Sequence, residues 1–486
     1  MPPDRGAPAP TGLILLALCA AQFMVIVDET VVNVALPAIG RDLGFSQRAL
    51  SWVSNGYLIA FGGFLLVGGR AADLLGRRRT FSASLLGFGL ASLACGLAPS
   101  GPLLVGARAV QGTAAAVLSP SALATLLATF HGPAERTRAL GAWAALAGLG
   151  ATTGLVLGGT LVDLLSWRWV FLINVPSSLA VLAAFRSLAP AAGEGHPRPA
   201  PGLGGALLVT GALVLVAFSV VGTPEHGWGA PRTLAGILAG GLLAVAFVVR
   251  ERAAAEPLVP KALLRIRRIV LGNVLAFVMA GGLFAMFYIT TLYMQTVLGY
   301  SALRTGLSYL PFSAAVGAAS AAATAWLKRG SPRPLLVAGP LVAAAGLRLM
   351  SGLGVGSPYA ARLLPALVIA GIGLGLALVP LAAVVTAGVE SRDTGVASGL
   401  LTTSQQVGAV LGIAVLAAVA GRPVAATGEG PPPAEALVAG YRDALGLEAV
   451  VLLCAVALAL AIPRAAGRIS RQVHDSMQHT ERGATT

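Results

Sequence analysis

The run "TGLILLALCAAQF" (Thr11–Phe23) continues directly into "MVIVDETVVNVALP" (Met24–Pro37), and the second stretch decides how the first is read. Nothing charged lies between Arg5 and Asp28, yet two adjacent carboxylates, Asp28 and Glu29, then stand inside an apolar run long enough to cross a bilayer as a helix. A charged side chain at such depth costs at least ~2.5–3.5 kcal/mol, so intramembrane carboxylates are rare and mark paths for ions or substrates. The stretch exceeds a signal-peptide core and runs on without a break, so it is expected to be a first membrane span rather than a cleaved leader.

The rest of the chain supports that solvent. Of 486 residues, 56% are hydrophobic and only 11% charged, and the mean hydropathy is +0.82. A soluble chain carries about twice that charged fraction. Fourteen apolar stretches are expected as spans: 13–36, 50–69, 80–98, 102–127, 139–162, 169–186, 202–222, 233–249, 270–296, 305–327, 334–354, 362–389, 395–420 and 445–463. They are continuous runs, not ten-residue alternations, which excludes a β-barrel. Glycine totals 62, and Gly and Ala recur at the spacing that lets helices approach closely in lipid.

Charge phase tests the count. With the N-terminus inside, the inner segments and tails hold 23 of the 33 Lys+Arg, the outer loops 8, and Arg108 and Arg348 fall within spans. That bias stays in phase over fourteen crossings, so both termini are expected to be cytoplasmic. The net charge of +14 is then topology and contact with anionic lipid, not nucleic-acid binding.

Long connections fall at 187–201, 250–268 and 421–444. The second is basic and amphipathic, as a surface segment or a plain linker would be. The expected organisation is a tail (1–12), a six-helix bundle (13–186), linkers with two inserted spans (187–268), a second six-helix bundle (269–463) and a tail (464–486). Two six-span halves are the layout of a transporter whose site lies at the midplane between repeats. The fold class expected is an all-α polytopic membrane protein.

Several chemistries find no residues. Cys19, Cys95 and Cys454 sit inside apolar spans and read as small buried hydrophobes. The five histidines lie in loops or the tail without metal-ligand spacing, and neither Lys261 nor Lys328 sits in a phosphate-binding loop. No cofactor or metal is expected; an ion gradient is the expected source of work.

Asp28 lies roughly 12 Å inward of Pro37 and Arg108 roughly 9 Å inward of its own span end, so the two can pair. One reading is a structural ion pair joining spans 1 and 4. The other is proton coupling, because adjacent carboxylates in low dielectric resist ionising together and one can hold a proton. Neighbours on a helix point ~100° apart. Gln22, Glu29 and Asn33 therefore share one stripe facing an aqueous cavity, with Asp28 turned towards a neighbouring helix; the pattern leaves open which carboxylate carries the proton. Apolar and aromatic cavity walls are sought in Met24, Phe277, Met286, Tyr288 and Tyr293, each as readily explained by packing.

The stretch "GRAADLLGRRR" (Gly69–Arg79) joins spans 2 and 3. Its glycines allow a tight turn, and Asp73 can cap a helix or pair with arginine. Such a loop can latch two bundles and release them, or serve only as an inner basic loop.

These residues match a known family. Gly69, Asp73, Gly76, Arg77, Arg78 and Arg79 resemble the signature loop of the major facilitator superfamily. "VDETVVNVALP" resembles the first-span motif of its fourteen-span drug:proton antiporter branch, and "ARAVQGTAAA" the span 4 motif whose arginine, here Arg108, is linked to proton coupling. "SWVSNGYLIAFGGFLLVGGR", "WRWVFLINVP", "YMQTVLGYSALRTGLSYLPF" and "VASGLLTTSQQVGAVLGIAVL" extend the resemblance along the chain. Asn55, Tyr57 and Gln111 of these motifs join the expected cavity residues. The resemblance implies secondary active export of small amphipathic molecules in exchange for protons. The abundance of Ala, Gly and Arg over Lys suggests a bacterial source, so the expected setting is a bacterial cytoplasmic membrane, and a monomer is expected.

Two departures stand out. The span 5 antiporter motif has its glycines, Gly150, Gly154, Gly158 and Gly159, but Leu155 replaces the usual proline and its kink. Glu29 occupies a position usually uncharged in the family, where it can favour cationic substrates or add a proton site. The reading is proton-coupled efflux by alternating access, with a dedicated exporter of one metabolite as the alternative. A membrane enzyme lacks a catalytic set within the spans. A sensor or scaffold leaves the Asp28–Arg108 depth match without a use.

Overall fold

A computed structural model describes residues 11–130, 133–188, 203–223, 227–254, 261–387, 389, 394–425 and 433–463. Fourteen helices of fifteen residues or more occur among the described residues, in the order of the expected spans. The first six are α1 (Thr11–Leu43), α2 (Gln47–Leu75), α3 (Arg77–Gly96), α4 (Gly101–Thr129), α5 (Pro133–Leu164) and α6 (Asn174–Leu188). Two follow as a hairpin, α7 (Leu203–Val221) and α8 (Pro231–Ala253). The last six are α9 (Arg267–Leu292), α10 (Leu310–Leu327), α11 (Arg333–Met350), α12 (Leu364–Thr386), α13 (Thr394–Ala420) and α14 (Ala434–Ala461). Ten described segments are long and apolar enough to cross a membrane, and Ala49–Leu65, Thr152–Leu164 and Leu207–Val220 are shorter apolar helices of the same kind. The chain is an all-α integral membrane protein.

Packing repeats between the two sets of six. In the first, α1 packs on α4, α5 and α6, while α4 packs on α2 and α3. In the second, α9 packs on α12, α13 and α14, while α12 packs on α10 and α11. The third and sixth helices also pair in each half, α3 with α6 and α11 with α14. The two halves thus share one packing pattern.

Small residues make these contacts possible in lipid, where close backbone approach replaces the hydrophobic drive. A methyl on Gly112 would strike the Tyr57 carbonyl of α2, and one on Gly408 would strike the Phe277 carbonyl of α9. The α7–α8 hairpin lies against the seam where α2 meets α13. Gly63 of α2 abuts Thr210 of α7, Trp52 and Phe218 rings sit 5.5 Å apart, and Val220 packs with Ala414. Its outer helix, α8, exposes Leu234, Leu238, Leu242 and Val245, as a lipid-facing surface does.

Three expectations are corrected. α1 does not end at Pro37 but runs six residues further, to Leu43; a proline removes one N–H, and the following turns still bond. α14 begins at Ala434 instead of 445, so half of the expected 421–444 loop is helix. Cys454 is exposed on α14, while Cys19 and Cys95 are buried. The expected 187–201 linker lies almost wholly outside the described residues.

Candidate proton-coupling site

Asp28 is fully buried and accepts three hydrogen bonds from two other helices. Arg108 Nη1 donates to Oδ2 at 2.6 Å, and Gln111 Nε2 and Asn174 Nδ2 donate to Oδ1 at 2.8 Å each. α4 supplies Arg108 and Gln111 one turn apart, so both reach the same carboxylate. α6 supplies Asn174 at its first residue.

The cage has a second layer. Arg108 Nη1 also donates to Gln111 Oε1 at 2.7 Å, and its Nε donates to the Val53 carbonyl of α2 at 3.2 Å. Its guanidinium lies 4.2 Å from the Tyr57 ring centroid and 5.6 Å from that of Phe171. Gln111 Nε2 is shared with Ser92 Oγ of α3 at 2.7 Å. A buried ion pair loses the hydration of both charges and persists only when further hydrogen bonds satisfy them. These partners, drawn from α1, α2, α3, α4 and α6, supply those bonds.

Glu29 points elsewhere. It is partly exposed, and its Oε1 accepts from Gln406 Nε2 of α13 at 3.0 Å. Adjacent carboxylates thus face different halves: Asp28 the interior of the first, Glu29 the seam with the second.

The α5 glycines press against the helix that carries both. Methyl groups on Gly150, Gly154 and Gly158 would meet Ile26, Thr30 and Val31 of α1, respectively. Gly159 faces the other half, against Ala302 and Leu303, and Gly306 abuts the Leu155 carbonyl. Asp163, four residues on, accepts from the backbone N–H groups of Ala302 at 3.1 Å and Leu303 at 2.9 Å. Gln295 Nε2 of the π-helical turn Tyr293–Val297 donates to the Val34 carbonyl at 2.9 Å. These contacts close the halves on the side of the α1–α2 turn.

The expected cavity residues fall in several places. Gln22 is partly exposed and accepts from Ser119 Oγ at 2.8 Å. Met24 is buried and takes a contact from Ser178 Oγ at 3.5 Å. Asn33, Asn55, Tyr57, Gln111, Tyr288 and Tyr293 are buried in helix packing in this conformation. Tyr57 and Gln111 belong to the Asp28 cage. In the signature loop, Gly76 takes φ +86 between α2 and α3, a conformation in which a Cβ is strained. Arg78 Nη2 donates to the Arg186 carbonyl of α6 at 2.9 Å, and Arg77 and Arg79 are exposed on the first turn of α3. Gly69 and Asp73 lie in the last turns of α2, and the surroundings of Gly69 and the side chain of Asp73 fall outside what the structure describes.

Sequence reasoning did not single out Asn174, Ser92 or Gln406. Asn174 stands in "WRWVFLINVP" and Gln406 in "VASGLLTTSQQVGAVLGIAVL", as polar residues within apolar runs.

The family model described as Major Facilitator Superfamily matches residues 18–413. The chain belongs to the Major Facilitator Superfamily. This facilitator-family chain is 40% identical over 457 residues to the puromycin resistance protein pur8 of Streptomyces alboniger, covering 92% of this chain and 90% of that one. It is 42% identical to the cephamycin export protein CmcT of Amycolatopsis lactamdurans, covering 95% and 94%. It is 36% identical to the tetracenomycin C resistance and export protein of Streptomyces glaucescens, covering 97% and 87%. Among solved structures, a bacterial homolog of the human lysosomal transporter Spinster matches with a TM-score of 0.67 at 18% identity, covering 97% of this chain and 99% of that one. The peptide transporter POT in complex with sulfate matches at 0.66 and 16% identity, covering 96% of each. Those likenesses show the facilitator transporter fold.

Proposed function

We propose that this chain exports small amphipathic drugs or antibiotics across a bacterial cytoplasmic membrane in exchange for protons, by alternating access. The observation that carries the reading is the pair of adjacent carboxylates, one caged with Arg108 in the first half and one bonded across the seam to Gln406. Export as the direction is supported by the relatives, whose names are those of resistance and export proteins.

In this mechanism the side of the α1–α2 turn faces outward and is closed here by Asp163, Gln295 and the Gly159–Ala302 and Leu155–Gly306 contacts. Both termini then lie in the cytoplasm, and substrate enters from that side or from the inner leaflet. Substrate arrival at the seam displaces the Glu29–Gln406 bond and promotes proton release. Opening outward requires the cross-half bonds to break, and reprotonation of the carboxylate pair from outside favours return. Arg108 serves as the positioned charge against which Asp28 exchanges its proton. The gradient supplies about 2.3 kcal/mol per charge per 100 mV and about 1.4 kcal/mol per pH unit, roughly fiftyfold and tenfold in concentration ratio.

A dedicated exporter of one metabolite is the second reading, favoured by the single-antibiotic names of the cephamycin and tetracenomycin relatives. One experiment addresses both. Proteoliposomes holding an imposed pH gradient receive a panel of lipophilic cations, neutral antibiotics and anionic metabolites, with a pH-sensitive dye inside. Dye response to several unrelated amphipathic compounds supports broad antiport, and response to one compound alone supports the dedicated exporter. A folded protein that moves labelled drug with no dye response contradicts proton exchange.

A further inference from the structure

The second half of the molecule holds a buried carboxylate that the Asp28–Arg108 machinery does not use. Glu448 lies near the midpoint of α14, only 5% exposed, on a face otherwise formed by Leu445, Ala449, Leu452 and Ala455. Its Oε1 is enclosed, and it makes no hydrogen bond or ion pair among the described residues. Opposite it on α9 stands Gly282, and a methyl there would fall on Glu448 Oε1. The missing Cβ is what leaves the carboxyl room.

A buried carboxylate that is to stay ionised needs a counter-charge and donors of the kind Asp28 has in Arg108, Gln111 and Asn174. One without a partner in low dielectric is far more stable neutral than ionised, so a site of this kind favours a bound proton. The groups on the packed elements offer no counter-charge. On α9 the titratable side chain nearest Gly282 is Tyr288, within electrostatic reach of Tyr441 on α14, while Arg267 and Arg268 stand at the far N-terminal end of the helix, roughly 20 Å away along its axis. α13 offers the uncharged Thr403 and Gln406. On α11, Arg348 is committed to Ser351 Oγ at 3.0 Å, and Arg442 of α14 itself to the Ser351 carbonyl at 3.0 Å. Asp443 is exposed on the other face of α14. Tyr293 of the π-helical turn donates to the Gly354 carbonyl at 2.8 Å. Arg422 lies on the short helix Arg422–Ala425, at the end of the bundle remote from the midpoint of α14.

The position also repeats the first half. There the first and sixth helices, α1 and α6, meet at Asp28 and Asn174; here their counterparts α9 and α14 meet at Gly282 and Glu448. Gly281 next door packs on Gly408 and Gly412 of α13, and Gln406, two residues away, holds Glu29.

We propose that Glu448 is a second proton-binding carboxylate of the transport cycle, carried by the second half as Asp28 is carried by the first. The proposal rests on the proton-exchange reading above. The proton comes from water on the more acidic side, converts the carboxylate to the acid, and leaves to water on the other side while substrate moves oppositely.

The test measures the ratio of protons to drug in proteoliposomes, from the combination of potential and pH gradient at which net drug flux stops. Glu448→Gln is expected to lower that ratio by one proton while drug still binds. An unchanged ratio in Glu448→Gln beside a coupled wild type overturns this proposal alone, whereas a wild type that moves no protons overturns the proton-exchange reading with it. Independently of whether the variant folds, wild-type protein is treated with a hydrophobic carbodiimide, which reacts with buried protonated carboxyls, and mapped by mass spectrometry. An adduct on Glu448 at neutral pH that declines in alkali is expected; an unmodified Glu448 in a preparation modified at Glu29 overturns the proposal.

Discussion

Gln406 Nε2 of α13 donates to Glu29 Oε1 of α1 at 3.0 Å, one residue along from the carboxylate that Arg108 holds at 2.6 Å. The same two residues of α1 therefore feel both halves of the molecule. Movement of the halves must change the Glu29 environment first, because the Asp28 cage lies wholly within the first half. Gln406→Ala removes the only described bond from Glu29 across the seam. A hydrogen bond to a charged group contributes about 1.5–3 kcal/mol and one between neutral groups about 0.5–1.5 kcal/mol. The variant is expected to shift the equilibrium away from the closed arrangement by one of those amounts, read as faster labelling of a cysteine placed at the seam. Unaltered labelling would show that this bond carries no part of closure.

Arg108 should be the least replaceable residue of the cage. Removing one partner of a buried ion pair leaves the other charge uncompensated and costs about 3–5 kcal/mol. Arg108→Ala is expected to lower the thermal unfolding midpoint in detergent far more than Asp28→Asn, whose amide can still accept from Arg108. Arg108→Lys should not restore stability, since a lysine lacks the Nε–H given to the Val53 carbonyl and the planar face over Tyr57. Equal midpoints for Arg108→Ala and the wild type would contradict the packing described.

The glycines of α5 and α4 offer a matched comparison. Gly154 faces Thr30 Oγ1 and the Val27 carbonyl, whereas Gly106 of α4 faces open space. Gly154→Ala overpacks the α1–α5 contact and should destabilise by about 1–3 kcal/mol. Gly106→Ala should instead gain up to about 1 kcal/mol of helix propensity. Thr30→Ala combined with Gly154→Ala should recover part of the loss. Identical unfolding midpoints for the two alanine variants would remove the case for close α1–α5 packing.

Asp163 holds two backbone N–H groups of the other half, those of Ala302 and Leu303. Asp163→Ala should weaken closure on the α1–α2 side while leaving the Asp28 cage intact. The expected result is greater distance between spin labels at positions 164 and 303, with the unfolding midpoint little changed. A distance distribution identical to the wild type would contradict a latch at this place.

Much of this was legible in the sequence because charge in lipid is conspicuous. Asp28 and Arg108 stood out as ionisable residues in apolar runs at similar depth, and the structure bonds them. The fourteen long helices follow the expected spans because each is marked by its own continuous apolar run. What escaped notice was polar but uncharged. Asn174, Ser92 and Gln406 are tolerated in apolar helices at modest cost, so they attract no attention until a partner is in view. Glu448 is hidden for another reason: "YRDALGLE" puts charges at 442 and 443, so hydropathy starts the span at 445 and makes the carboxylate an end residue. With α14 starting at Ala434, the same carboxylate lies near mid-helix. The Pro37 boundary failed similarly, since one missing N–H does not stop a helix packed on α5.

The central claim is that the carboxylate pair on α1 couples drug movement to protons, and separating exchange from accumulation tests it most directly. Proteoliposomes loaded with drug would be given labelled drug outside, first without a gradient and then with an imposed proton gradient, for wild type, Asp28→Asn and Glu29→Gln. The account predicts that drug-for-drug exchange persists in at least one variant while gradient-driven accumulation is lost in it. Full accumulation in both variants, with proton movement equal to the wild type, would contradict the assignment of coupling to Asp28 and Glu29.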